Sequence, residues 1–359
     1  MRVVLAGGGT AGHIEPALAL ADALRQIDPT IGITCLGTDR GLETRLVPAR
    51  GYELELVPAV PLPRALTPQL LAVPGRLAGA INTTTGILDK VGANVLVGFG
   101  GYVATPAYLA ARRRGIPIVV HEANPRPGLA NRLGARLTDH VFTGHQDTAL
   151  PGAECIGIPL RRQVVNMDRF SLGDKARSYF GLESDRPTLL VFGGSQGARS
   201  INKAALDAAP ALRAAGVQVL HVIGPKNTVE QEPPPGDPQY VILPYVDRMD
   251  LAYAAADLVL CRSGAMTCAE LTAVGLPAAY VPLPHGNGEQ RLNAQPIVAA
   301  GGGLMVDDAE LTPEWIMRVL APLLHNPEKV AVMCEAALRM GRKDADVTLA
   351  RKVLEIAAR

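Results

Sequence analysis

VVLAGGGTAGH, residues Val3 to His13, runs from an apolar strand through a glycine cluster into a helix, and LLVFGGSQGAR, Leu189 to Arg199, repeats the device in the second half of the chain. A strand that ends in glycines and turns straight into a helix opens a right-handed βαβ unit. Around these openings, short apolar runs alternate with Ala- and Leu-rich helical stretches. That pattern predicts an α/β fold of two Rossmann-like domains with doubly wound parallel sheets. The first half offers strands at Val3–Ala6, Ile33–Leu36, Val95–Val97, Ile118–His121 and Val141–Thr143. The second offers Thr188–Phe192, Val217–Ile223, Tyr240–Leu243, Leu258–Cys261 and Ala278–Val281. The repeat lacks the short, regular period of a solenoid.

Composition agrees with two layered domains. A chain of 359 residues is too long for one ordinary core and fits two domains of about 150–180 residues. Apolar residues make up 48% and aromatics only 4%, so the cores must be built from Ala, Val, Leu and Ile, as in buried parallel sheets. The domains are expected at 1–160 and 161–341, joined near Gly157-Ile158-Pro159-Leu160, with 342–359 a helical tail whose docking site is not legible. Ligands bind outside the carboxyl ends of parallel strands, so two such domains facing each other would place the site in the cleft between them. The formal net charge is +1, with Arg and Lys scattered; the basic face that nucleic acid requires is missing. Five dispersed cysteines without a C-x-x-C pair indicate neither a disulfide framework nor a zinc site and fit a reducing cytosol. MRVVLAGGG enters a strand at once, leaving no room for a signal peptide. Val91 to Ala111 carries no charge, yet its glycines, Asn94, Thr105 and Pro106 read as strand, turn and helix rather than a membrane span.

The richest chemistry lies in ADLVLCRSGAMTCAELTAVGLP, Ala256 to Pro277. A strand, a small-residue turn and a helix start present free backbone N–H groups to an anion. Glu270, one turn inside that helix, suits a pair of sugar hydroxyls, so the segment suggests a nucleotide held by phosphates and ribose. Thr267 and Glu270 fit an ordinary T-x-x-E capping box equally well. Gly193-Gly194-Ser195-Gln196-Gly197 offers a similar backbone nest with a hydroxyl, suited to a diphosphate. Gly7 to Gly12 is a glycine-rich turn, but Leu36-Gly37-Thr38 stands where a dinucleotide site needs an acid, Asp39 being the nearest. A helix N-terminus disfavours an imidazolium, which suits His13 to act as a general base; a capping histidine is the plainer alternative. Gly98 to Tyr102 is a third glycine turn, and His121-Glu122-Ala123-Asn124 ends a strand with three polar groups. The loop from Pro284 to Asn293 is rich in amides and carboxylates, each of which can bond two vicinal hydroxyls. The only D-x-D, Asp344-Ala345-Asp346, is expected on a solvated helix surface, and no metal site is predicted.

GGGTAGH, GFGGYVATP, HEAN, GGSQGA, CRSGAMTCAE and HGNGEQRLNA, in this order over nearly the whole chain, resemble the MurG family of bacterial glycosyltransferases. These are inverting, family 28 enzymes of GT-B architecture. The resemblance implies transfer of N-acetylglucosamine from UDP-GlcNAc to the MurNAc 4-hydroxyl of lipid I, giving lipid II and UDP for peptidoglycan. It implies no cofactor, a peripheral position on the cytoplasmic face of the cell membrane, and other cell-wall synthesis proteins as partners. Ser195 with Ala265, Met266 and Thr267 would hold the diphosphate, Glu270 the ribose and the Val246 backbone the uracil. Gln290 and Asn293 would read the GlcNAc hydroxyls, and Arg161 matches a donor-side arginine. Thr10, Ala11, Gly12 and Asn124 would approach the sugar, Tyr102, Glu122 and Asn124 the acceptor, and His13 is the candidate base. Ala11, Ala123, Ile158 and Glu289 depart from the family's usual glycine, glutamine, asparagine and glutamine, and Glu289 touches sugar recognition most directly.

Other readings share these motifs in part. A diacylglycerol glucosyltransferase or a UDP-GlcNAc 2-epimerase would use the same architecture. A non-catalytic sugar-nucleotide-binding protein would tolerate loss of His13 and Asn124. A nicotinamide dehydrogenase lacks its acidic partner. Between Leu56 and Leu88 there is no acidic residue, and Leu62, Leu66, Leu70, Leu71, Val73 and Leu77 are interspersed with Arg64 and Arg76. This is a candidate patch for the inner leaflet, aided by anionic lipids; a loop and helix packed on the core is the alternative. Changing Arg64 and Arg76 to Glu should lower binding to anionic vesicles and spare UDP-GlcNAc affinity, and unchanged vesicle binding would remove the patch.

Overall fold

The structure, a computed structural model, describes residues 1–39, 41–60, 72–229 and 236–358. It forms two units, Met1–Arg161 with Lys343–Arg359, and Arg162–Arg342.

The first unit holds β1 (Arg2–Gly7), β2 (Gly32–Gly37), β3 (Glu53–Leu56), β4 (Val95–Gly100), β5 (Ile118–Glu122), β6 (Val141–Thr143) and β7 (Glu154–Cys155). Its sheet runs β3-β2-β1-β4-β5-β6-β7 with every pair parallel. Val3 to Ala6 are buried on both faces of β1, which is why the strand reads as a continuous apolar run rather than an alternation. Val3 and Leu5 pack with Ile14, Leu18 and Leu24 of the helix Ala11–Ile27 on one face. Val4 and Ala6 pack with Ala107 and Tyr108 of the helix Ala104–Arg114 on the other.

The second unit repeats this plan with β8 (Thr188–Phe192), β9 (Gln218–Val222), β10 (Tyr240–Leu243), β11 (Leu258–Cys261), β12 (Ala278–Tyr280) and β13 (Gly303–Met305). The order is β10-β9-β8-β11-β12-β13, again all parallel. In each sheet the strand order reverses once beside the first strand, between β1 and β4 and between β8 and β11. Ligand crevices form at such switch points.

Two expectations need correction. Residues 342–359 are no separate tail: the helix Ala345–Ala357 buries Leu349, Ala350, Val353 and Ile356 in the first unit's core with Ile14, Leu18 and Val95. Asp346, expected on a solvated surface, is buried at the first turn of that helix. The uncharged stretch from Val91 resolves into β4 and the helix Ala104–Arg114. Among the described residues no helix is long and apolar enough to cross a membrane. Of the candidate membrane patch, Leu62, Arg64, Leu66, Leu70 and Leu71 lie outside the described residues. Arg76 is exposed on the helix Val73–Val91, whereas Val73 and Leu77 pack towards the first unit's core.

Leu349 is fully buried, and truncating such a side chain costs about 2–5 kcal/mol. Leu349→Ala should therefore lower the unfolding transition of the first unit. A shift confined to the second unit, followed by hydrogen exchange, would contradict this placement.

Candidate active site

In the first unit the site residues gather at the carboxyl ends of β1, β4 and β5. The helix after β1 starts with Thr10 in extended backbone as its N-cap, and no side chain caps it. Thr10 and Gly12 are exposed and Ala11 half-buried. A register shift at Gly7 pairs it with Gly100, bringing the Gly100-Gly101-Tyr102 turn beside the first loop, and Tyr102 is 55% exposed. His13 Nδ1 lies 3.3 Å from the Gly8 carbonyl and 3.3 Å from Thr10 Oγ1. A carbonyl oxygen only accepts, so in the neutral ring Nδ1 carries the hydrogen and Nε2 the lone pair. That is the tautomer a base needs.

The HEAN cluster divides its labour. His121 is buried, donates from Nε2 to the Gly157 carbonyl at 2.9 Å, and burial pushes its ring down to about 4. It is a neutral core residue. Glu122, also buried, accepts from Asn124 N at 2.9 Å and Asn124 Nδ2 at 3.3 Å through Oε1. Its Oε2 accepts from Gly128 N and from Asn131 Nδ2, each at 3.0 Å. With both oxygens engaged, Glu122 holds the 124–128 loop and presents Asn124, which is only half-buried. Asn131, missed in the sequence, is fixed in turn by Tyr108 Oη, which donates to Asn131 Oδ1 at 2.8 Å. Arg161 closes the first unit and sits 3.9 Å from Glu15 of the helix Ala11–Ile27.

In the second unit the loops after β8 and β11 flank the switch point. Ser195 is half-buried in the turn ahead of the helix Arg199–Asp207, whose N-cap Ala198 offers no side-chain acceptor. The helix Ala265–Val274 likewise has Gly264 as N-cap and no side-chain cap. Thr267 is therefore the third residue of the helix and cannot be its cap. This excludes the capping-box alternative and leaves Ala265, Met266 and Thr267 with first-turn N–H groups. Glu270 is buried, and Tyr253 Oη donates to its Oε2 at 2.8 Å. Gln290 Oε1 accepts from Leu283 N at 2.9 Å, so its amide nitrogen is the group left to donate elsewhere. Asn293 donates to the Ser263 carbonyl at 3.1 Å, and its buried Oδ1 has no partner among the described residues.

Arg262, another residue the sequence did not flag, ties these loops together. Its buried guanidinium pairs with Asp308 at 2.5 Å and donates to the Val281 carbonyl at 3.1 Å and to Ser200 Oγ at 3.0 Å. Val246 lines a cavity of about 360 Å³ with Tyr179, Leu243, Tyr245 and Arg248. A larger cavity, about 800 Å³, is lined by Arg169, Pro187, Asp257 and Cys334. Pro187 and Asp257 precede β8 and β11, so it lies at the opposite strand ends from the loops above. Among the described residues no group of three His, Cys, Asp or Glu is placed to hold a metal ion.

Two doubly wound units, each with a glycine turn and an uncapped helix start at its switch point, constitute the GT-B class of glycosyltransferase. Models of the glycosyltransferase family 28 N-terminal domain and C-terminal domain match residues 3–143 and 188–349. The chain belongs to glycosyltransferase family 28. A UDP-N-acetylglucosamine--N-acetylmuramyl-(pentapeptide) pyrophosphoryl-undecaprenol N-acetylglucosamine transferase of Thermobifida fusca is 67% identical over 99% of this chain and 94% of its own length. A transferase of the same name from Streptomyces avermitilis is 63% identical over 100% of this chain and 99% of its own. Among solved structures, Acinetobacter baumannii MurG superposes with a TM-score of 0.77 at 25% identity, covering 99% of both chains.

Tyr253→Phe removes the hydroxyl that donates to Glu270 Oε2 and leaves the ring in place. A hydrogen bond to a charged group contributes about 1.5–3 kcal/mol, so KM for the nucleotide sugar should rise roughly 10- to 100-fold with little change in kcat. An unchanged KM would show that Glu270 does not contact the donor.

Proposed function

We propose that this enzyme transfers N-acetylglucosamine from UDP-GlcNAc to the MurNAc 4-hydroxyl of lipid I, forming lipid II and UDP with inversion at the sugar carbon. The observation that carries the reading is the uncapped helix start at Ala265 with a buried carboxylate, Glu270, one turn inside it. The relatives' shared name supports the same substrates. The second unit takes the donor: Ser195 and the N–H groups of Ala265, Met266 and Thr267 hold the diphosphate, and Glu270 takes the ribose hydroxyls. Val246 borders the uracil, and the Gln290 amide with Asn293 Oδ1 reads the GlcNAc hydroxyls. In the first unit Asn124 and Tyr102 address the acceptor.

The chemistry is a single in-line displacement. His13 Nε2 takes the proton of the acceptor hydroxyl as its oxygen bonds to the sugar carbon. The bond from that carbon to the phosphate oxygen breaks, and its electron pair leaves with UDP. Backbone N–H groups and the helix dipole stabilise the negative charge that develops there, so the step runs without metal. The lipid acceptor calls for peripheral attachment to the cytoplasmic face of the membrane, with exposed Arg76 as one cationic contact.

The test is transfer of radiolabelled GlcNAc to a lipid I analogue in the presence of EDTA, with epimerised sugar assayed in parallel. Labelled lipid II with released UDP is the expected outcome. UDP-GlcNAc binding without turnover, or epimerisation without lipid, would overturn the reading.

A further inference from the structure

We infer that Glu43 is a positioning residue that holds the first glycine loop, and through it His13, in the geometry the transfer requires. This rests on the proposed function above. Glu43 opens the helix Glu43–Ala49 and is completely buried. Its Oε2 accepts from Gly9 N at 3.0 Å. Its Oε1 accepts from Thr38 N at 2.7 Å and from Thr38 Oγ1 at 2.9 Å. One carboxylate thus bolts the turn after β1 to the end of β2. The space around it is built to fit: a Cβ on Gly8 would come within 2.9 Å of Glu43 Oε1, and one on Gly37 within 2.4 Å of its Cγ.

The connection to the base is short. Gly9 N is anchored by Glu43, and the neighbouring Gly8 carbonyl is the acceptor that fixes the His13 tautomer. Freeing Gly9 lets that carbonyl swing away, and Nε2 then loses both its aim and its guaranteed lone pair. Burying a carboxylate is costly unless it is fully hydrogen-bonded, so the three donors that converge on Glu43 mark a site built around it. The bond also claims the Gly9 N–H, so the ligand-facing donors of this loop begin at Thr10.

The decisive variant is Glu43→Gln, which can still accept from Thr38 through Oε1 but turns an NH2 group towards the Gly9 N–H. Misplacing a catalytic group by about 1 Å costs on the order of 100-fold in rate. We expect kcat to fall about 10- to 100-fold per folded molecule, with UDP affinity by calorimetry unchanged and any rise in KM for UDP-GlcNAc smaller than the fall in kcat. Thr38→Val, which loosens the other end of the clasp, should give a smaller loss in the same direction and serves if Glu43→Gln does not fold. Wild-type kcat in folded Glu43→Gln, or an equal loss of UDP affinity, overturns the inference. Failure of the wild-type protein to make labelled lipid II would instead overturn the function on which it rests.

Discussion

Everything at this site follows from the backbone N–H groups in the first turn of a helix, which have no partner inside the helix. In a doubly wound unit each parallel strand feeds a helix, so those donors collect along the carboxyl edge of the sheet. At Thr10, Ala198 and Gly264 the chain supplies no side-chain cap. Asp168, Thr312 and Asn326, by contrast, each accept from the helix they precede. The starts at Thr10, Ala198 and Gly264 flank the switch points, and their helix dipoles favour negative charge there. In the proposed reaction a diphosphate leaving group would be stabilised by these groups with no reorganisation at the moment of transfer.

The two glycine loops look alike as sequence and differ in what stands behind them. The loop after β1 rests on a buried carboxylate and leads to an imidazole. The loop after β8 rests on amides: Asn227 donates to the Gln196 carbonyl at 2.9 Å, and Asn202 to the Ile223 carbonyl at 2.9 Å. Asn202 is held by His221, whose ring burial lowers to about 4, so no cation or anion is introduced there. An electrically neutral backing suits a loop proposed to meet phosphates, whereas a carboxylate backing suits one proposed to handle a proton and hydroxyls.

Ten strands were legible because they read as apolar runs, and all but the edge strand β10 are almost wholly buried. The three that were not, β3, β7 and β13, are all sheet edges. Glu53-Leu54-Glu55-Leu56 is half-exposed, β7 has two residues, and β13 begins with a glycine. An edge strand has one neighbour and less core to cover; the edge strand β10 stayed legible because Tyr240-Val241-Ile242-Leu243 is apolar throughout, which these three are not. The site shows the same division. Motif residues sit where backbone turns demand them, whereas Glu43, Tyr253, Asn131 and Arg262 act through partners distant in sequence. Glu43 answers the puzzle of the missing acid after β2: an acid does meet the glycine loop, but from beneath it and from the next helix. The tail helix escaped for a related reason, since its apolar stripe says that it docks but not upon which unit.

That helix has a consequence for how the protein is made. Chains fold domain by domain as they leave the ribosome, amino-terminal parts first. Here the first unit's core includes Leu349, Val353 and Ile356, which are translated after the whole of the second unit. The second unit, Arg162–Arg342, has all its strands available earlier and can complete its core while the first still lacks a helix. The order of maturation is therefore the reverse of the order of synthesis. Until residues 345–357 emerge, the unit carrying His13 lacks the cover that Leu349, Val353 and Ile356 give its core beside the helix Ala11–Ile27.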